Sequence, residues 1–239
     1  SLDVKRMAEF VGHPRREIRA KAADALAIRG DTETTVAKLE YDPNPRARMQ
    51  LTWSMTKITR ETALQKLRGD SCPDIRAEAA HMIGEFHTTP PQPLTEVMLR
   101  VAALKDESPL VRMMALQQLT ADESMRSLLP MLGDPDPFIV GSSIDVLGRP
   151  GRAKLLLTYA QASDPRIRVG VLLALRRTSD AEGRRLLSQF LDDPEPAVRR
   201  AAIQWVGEQR LEEFAPLLTK AAPKPPVTRE LFEAFLAAQ

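Results

Sequence analysis

Apolar positions along the chain recur in step with a short phrase, Asp-x-x-Pro-x-x-Arg, of which Asp193–Arg199 (DPEPAVR) is a complete copy. Aligned on its last residue, the phrase returns at Arg19, Arg48, Arg76, Arg112, Val140, Arg168 and Arg199, with gaps of 29, 28, 36, 28, 28 and 31 residues. A self-similar period in this range marks a repeat architecture. One residue before the anchor stand Ile18, Ala47, Ile75, Val111, Ile139, Ile167 and Val198. Seven residues after it stand Leu26, Met55, Ile83, Leu119, Leu147, Leu175 and Val206. Between them, at the third position, the side chains are mostly small: Ala22, Leu51, Ala79, Ala115, Ser143, Val171 and Ala202. Successive steps of four place the three columns on one face of an α-helix, with the small column admitting a close neighbour.

The start of each helix is written in the same register. Three residues before the anchor come Pro45, Pro73, Pro109, Pro137, Pro165 and Pro196, with Arg16 as the exception. Proline suits the first helical position, where its missing N–H would have no partner. The residues before it, Asn44, Cys72, Ser108, Asp136, Asp164 and Glu195, include good N-caps in Asn, Ser and Asp. A second amphipathic stretch precedes each such helix, at 35–39, 63–67, 94–104, 125–132, 153–160, 184–191 and 211–218. The predicted unit is helix, short turn, helix. One unit cannot bury its apolar face alone, but stacked units share a continuous core. No strand-like alternation interrupts the pattern. The expected fold is therefore all-α, a right-handed α-α superhelix of about seven helical hairpins over residues 2–221. A Pro-rich linker (222–226) and a C-terminal helix (227–239) follow, the helix with Leu231, Phe232, Phe235 and Leu236 on its apolar side. The segment His87–Pro93 (HTTPPQP) accounts for the longest gap and reads as a surface loop.

Composition narrows the function classes. Ala and Leu are abundant and aromatics make up 5%, which suits helix-on-helix packing. Lys plus Arg (34) and Asp plus Glu (32) nearly cancel to +2, too little for a general nucleic-acid binder. The lone cysteine, Cys72, rules out an internal disulfide and any Cys-x-x-Cys site. No apolar run approaches the roughly 20 residues of a membrane span. The chain opens on Ser1 without an initiator Met, so it is expected to be an excised piece of a longer protein.

At the phrase residues the chain resembles HEAT-like repeat proteins of the short variety. Their pattern includes an Asp six positions before the Arg, which here gives Asp42 with Arg48, Asp70 with Arg76, Asp106 with Arg112 and Asp193 with Arg199. The resemblance implies a structural ladder of these side chains between adjacent repeats. His13, Val140 and Ala162 depart from the pattern, and the ladder is expected to weaken at those rungs. The segments DESPLVRMMALQQL, DPFIVGSSIDVLGR, SDPRIRVGVLLALRR and PPVTRELFEAFLAAQ are also similar to the helical part of large bacterial multidomain proteins. In those, HEAT repeats follow a dehydrogenase-type propeller and precede a c-type cytochrome. That likeness implies an oxidoreductase parent and an extracytoplasmic location; without it the default is cytoplasmic. The segment itself has no Cys-x-x-Cys-His and could not carry the redox chemistry.

Catalytic readings find little support. An active site is needed once, whereas the Asp–Arg phrase recurs. His13, His81 and His87 have no metal-ligand spacing. Cys72 occupies a helix N-cap but lacks a His–acid pair, and Ser142 and Ser143 lack a Gly-x-Ser-x-Gly elbow. Basic groups at Arg15, Arg16, Arg19 and Lys21, at Arg176, Arg177, Arg184 and Arg185, and at Arg199, Arg200 and Arg210 are interleaved with acids. The fifth position after the anchor faces away from the apolar columns. There Asp24, Trp53, His81, Gln117, Asp145, Leu173 and Gln204 would line a groove. The candidate binding residues are Trp53, His81, Gln117, Asp145 and Gln204, with core packing as the alternative for Trp53. The expectation is a non-catalytic scaffold without cofactor or metal, whose partner is a protein or a neighbouring domain of the parent chain. A nucleic-acid-binding solenoid and a HEAT-like lyase or glycosylase are the alternatives.

Overall fold

The computed structural model of the chain describes residues 4–29, 42–56, 60–85 and 92–238. All regular structure among these residues is helical. The amphipathic stretch at 35–39 and His87 lie outside the described residues, as does the side chain of Met55.

The first compact unit is Ser1–Ser124. Its helices are α1 (Val4–Phe10), α2 (Arg16–Arg29), α3 (Pro45–Thr56), α4 (Arg60–Gly69), α5 (Pro73–Glu85), α6 (Pro93–Lys105) and α7 (Pro109–Gln117). Helix α8 (Asp122–Leu128) runs across the division. The second helices α2, α3, α5 and α7 pack in series, while α4 and α6 form the other layer.

The second unit, Met125–Gln239, begins with a 3₁₀ turn at Leu129–Gly133. It continues with α9 (Pro137–Leu147), α10 (Ala153–Leu157), α11 (Pro165–Thr178), α12 (Ala181–Arg185), α13 (Leu187–Leu191) and α14 (Pro196–Glu208). A 3₁₀ turn at Glu212–Phe214, α15 (Ala215–Ala221) and α16 (Arg229–Ala237) complete it. Here α9, α11, α14 and α16 pack in series. The first helices of this unit are short, and one is split into α12 and α13.

Local chemistry accounts for the helix starts. Pro45, Pro73, Pro109, Pro137, Pro165 and Pro196 are each the first residue of their helix. Asn44, Asp136 and Asp164 accept the N–H two residues on, at 3.0, 2.9 and 2.9 Å. Ser108, expected as a cap, makes no such bond with its hydroxyl. There the preceding Asp106 holds the turn instead, accepting the Ser108 N–H at 2.9 Å.

The repeat columns form the core of each unit. At the first column Ala47, Ile75, Val111, Ile139 and Val198 are fully buried, with Ile18 and Ile167 half-buried. The whole small column is buried, and so are Leu26, Ile83, Leu119, Leu147, Leu175 and Val206. Close approach replaces bulk at Gly170, where a Cβ would lie 2.6 Å from the Leu132 carbonyl oxygen.

The Pro-rich stretch is docked rather than extended as a linker. Arg199 is completely buried, and its Nη2 donates to the carbonyls of Lys224 and Pro226 at 2.6 Å each. Helix α16 then lies against α14, burying Leu231 and Ala234. Of the expected apolar face, Phe232 and Leu236 remain exposed and Phe235 half-buried.

Candidate functional site

The phrase Asp and Arg build a ladder whose geometry separates two jobs. Each Arg reaches back six residues to a main-chain carbonyl: Arg48 to Asp42, Arg76 to Asp70, Arg112 to Asp106 and Arg199 to Asp193, at 2.7, 2.8, 3.1 and 2.7 Å. The rest of the guanidinium grips the Asp carboxylate of the following repeat. Arg48 pairs with Asp70, Arg76 with Asp106 and Arg168 with Asp193, in each case through Nε and Nη2 at 2.8–3.1 Å. Two parallel charge-assisted bonds fix both distance and angle. Each of these Asp side chains also closes its own turn by accepting the N–H two residues on.

This geometry revises what the departures from the phrase do. Arg19 still donates to the His13 carbonyl at 2.8 Å, and Arg168 to the Ala162 carbonyl at 2.7 Å. The acceptor is main chain, which any residue supplies. What is lost is the side-chain rung that register would place between positions 140 and 162. Val140 and Ala162 remove its donor and its acceptor together, so neither charge is left buried alone. The Nε of Arg19 is buried without a partner among the described residues.

Burial alone pushes the Asp70 and Asp106 carboxyls up. Hydrogen bonds from Arg48 and Arg76 and from the turn N–H groups outweigh it, and both sit below the usual carboxylate range. Lys66, nearly buried, adds its charge to Asp70 at 3.3 Å.

The second helices of the first unit wall a groove of about 720 Å³. Ala20, Met49, Gln50 and Ile75 form its floor and Trp53 stands in its wall, 38% exposed. Arg16 and Arg46 rim the groove together with Asp74 and Glu78. The other tryptophan, Trp205, is the core residue: it is 1% exposed and donates from Nε1 to Gln209. A smaller groove of about 460 Å³ occupies the same register of the second unit, with Leu173 at the position of Trp53.

The structure does not gather the remaining candidates into one site. His81, Gln117 and Gln204 are exposed on three different helices. Asp145 is exposed and paired with Arg177 at 3.1 Å. Asp24 accepts from the Ser54 hydroxyl at 2.8 Å. Cys72 lines the Trp53 groove beside no histidine. The Ser143 hydroxyl is spent on the Ile139 carbonyl. No group of three His, Cys, Asp or Glu among the described residues could hold a metal ion. Of the basic groups, Arg199 is buried, and Arg176 and Arg177 are paired with Glu208 and Asp145. No described helix is long and apolar enough to cross a membrane.

One buried acid escaped the sequence reading. Glu96 on α6 is 8% exposed and accepts four hydrogen bonds, from the Thr120 N–H and hydroxyl, the Ala121 N–H and the Ser124 hydroxyl, at 2.7–3.1 Å. Burial raises its pKa, but those donors more than compensate and hold it below the usual range. Both carboxylate oxygens are engaged by the fold, Oε1 three times and Oε2 once, so Glu96 is a clamp on the start of α8. Its only sequence signal was an acid inside an apolar helix face, with no repeat-mate.

Comparison with known proteins agrees with this architecture. Residues 153–237 match a family model described as HEAT repeats. The chain has a HEAT-like helical-repeat fold. The crystal structure of Escherichia coli YibA is similar to this HEAT-like chain over 99% of its length and 92% of YibA, at 15% identity and a TM-score of 0.53, a likeness of fold. An engineered protein aligns over 100% of this chain and 95% of its own, at 15% identity, but with a TM-score of only 0.32. No curated protein matches the sequence.

Proposed function

We propose that this HEAT-like chain is a non-catalytic scaffold that binds an extended polypeptide in the groove over α2, α3 and α5. The observation that carries the reading is Trp53, a half-exposed aromatic that shares an open groove with Ala20, Met49 and Ile75. Large exposed aromatics in such places act as anchors for a partner's apolar side chain. The rim has both signs of charge, which suits a peptide with mixed charge better than a phosphate backbone. Non-catalytic action is supported by the way the fold consumes the buried acids: Asp70, Asp106, Asp193 and Glu96 all face fixed donors. The bound segment belongs to another protein or to a neighbouring domain of a longer parent. An oxidoreductase parent, with its extracytoplasmic setting, rests on the sequence resemblance alone.

The test is selection of peptides from a displayed random library on the purified chain, followed by titration of the winners. Binders should lose about tenfold or more of their affinity with Trp53→Ala and keep it with Gln204→Ala. Failure to select any binder, or winners indifferent to Trp53→Ala, would remove this groove as the site.

A further inference from the structure

The first repeat leaves one fork of the ladder unfilled, and the arginine concerned lines the Trp53 groove. Arg48, Arg76 and Arg168 each spend Nη1 on a carbonyl of their own turn. Their Nε and Nη2 then hold a carboxylate of the following repeat. Arg19 makes only the first kind of bond, donating from Nη1 to the His13 and Pro14 carbonyls at 2.8 Å each. Its Nε is buried and unpaired, and among the described residues no carboxylate reaches its Nη2. Register would place Asp42 in this fork, but no bond joins the two. A buried N–H without an acceptor is costly, and a carboxylate is the group that meets Nε and Nη2 with two parallel bonds.

The other charges in the groove fit this assignment. Arg16, one turn before Arg19 on α2, lines it too, and α3 adds Arg46 beside Met49 and Trp53. The acids of the lining, Asp74 and Glu78, both belong to α5, and α3 packs between α2 and α5. The acids of α2 itself, Glu17 and Asp24, are not part of the lining, and Asp24 accepts from the Ser54 hydroxyl. The side along α2 is therefore basic and the side along α5 acidic, which places a partner's carboxylate toward α2. Building on the peptide-binding reading of this groove, we propose that Arg19 takes a carboxylate of the bound peptide in its empty fork while Trp53 takes a neighbouring apolar side chain. The carboxylate is that of an Asp or Glu side chain or of a peptide C-terminus, which present the same two oxygens.

Two displayed random libraries, one with peptides fused at both ends and one with free C-termini, tell the sources apart. Acidic winners from the first identify a side chain, and winners from the second alone identify a terminal carboxylate. Each winner is then made as a synthetic peptide beside its amide counterpart, with Asn, Gln or a C-terminal amide in place of the acid. The amide should bind the wild-type chain at least about tenfold more weakly. In Arg19→Met the acid and the amide should bind alike, whereas Arg16→Met and Arg46→Met should keep the difference. Arg19→Lys retains the charge without the fork and should restore only part of it. Should Arg19→Met disturb folding, Arg19→Lys carries the same comparison. An acid–amide difference that survives intact in the Arg19 variants, or winners that need Trp53 and have no carboxylate, would overturn the proposal and leave the groove reading standing. No winners from either library would remove both.

Discussion

Arg48 and Asp70, 22 residues apart, form a two-pronged ion pair: Nε to Oδ2 at 3.1 Å and Nη2 to Oδ1 at 3.0 Å. Both side chains are almost completely buried. The pair joins the turn of one hairpin to the turn of the next, and the same figure recurs at Arg76–Asp106 and Arg168–Asp193. Register between repeats is set here by a rigid fork on a carboxylate, while the apolar columns supply the cohesion.

Removing one half of this pair leaves the other charged and buried. Asp70→Asn and Arg48→Ala are each expected to destabilise the fold by about 3–5 kcal/mol. With Lys66→Met in every protein compared, because Lys66 also pairs with Asp70, replacing both together with apolar residues, Arg48→Met with Asp70→Leu, should cost less than either single change. The paired absence at Val140 and Ala162 is the chain's own example. Urea unfolding midpoints of the four proteins measure this, and a double variant as unstable as the sum of the singles would contradict it.

Acid should loosen the fold in a defined window. Asp70, Asp106 and Glu96 all titrate below their ordinary values in the folded state. A depressed carboxylate contributes stability above its unfolded pKa, about 4, and that contribution is lost as pH falls through the folded value. Stability should therefore be level above about pH 5 and fall steeply below it. Asp106→Asn should flatten that fall, as read from unfolding free energies between pH 3 and pH 7. An unchanged slope would show that Asp106 is not one of the linked groups.

Glu96→Gln swaps an acceptor-only group for one with two donors, in a pocket that already offers four donors. The expected loss is about 1–3 kcal/mol in thermal unfolding, against almost none for Glu107→Gln at an exposed position.

Glu96 also shows where sequence reasoning stops. The second helices could be placed because Pro at their first position, three columns at steps of four and an Asp-closed turn are local rules stated again in each repeat. Repetition turns weak local signals into register. Glu96 and its partners 24 to 28 residues on are stated once, so no column exposes them. The ladder's carbonyl acceptors were hidden for another reason: main chain has no letter in the sequence. The Pro-rich 222–226 stretch looked like a linker by composition, whereas its carbonyls supply acceptors for Arg199. Trp53 and Trp205 sit one position apart in the repeat register, about 100° around the helix, which puts the fifth position on the groove side and the sixth on the side of the apolar columns.

That difference is itself measurable. In Trp205→Phe the remaining Trp53 should fluoresce at long wavelength and be readily quenched by acrylamide. In Trp53→Phe the remaining Trp205 should be blue-shifted and protected. Trp53→Ala should leave stability within about 0.5 kcal/mol, whereas Trp205→Ala should cost about 3–5 kcal/mol. Equal quenching of the two would remove the distinction between anchor and core.

The central claim, that the recurring columns are the shared spine of stacked hairpins, is tested most directly by thiol labelling along α14. In a Cys72→Ser background, single cysteines replace Val198, Ala202 and Val206 from the columns, or Gln204 and Glu208 from the outer face. Labelling rates under native conditions should be at least about a hundredfold slower at the three column positions than at the two outer ones. Equal rates at all five, or fast labelling at a column position, would contradict it.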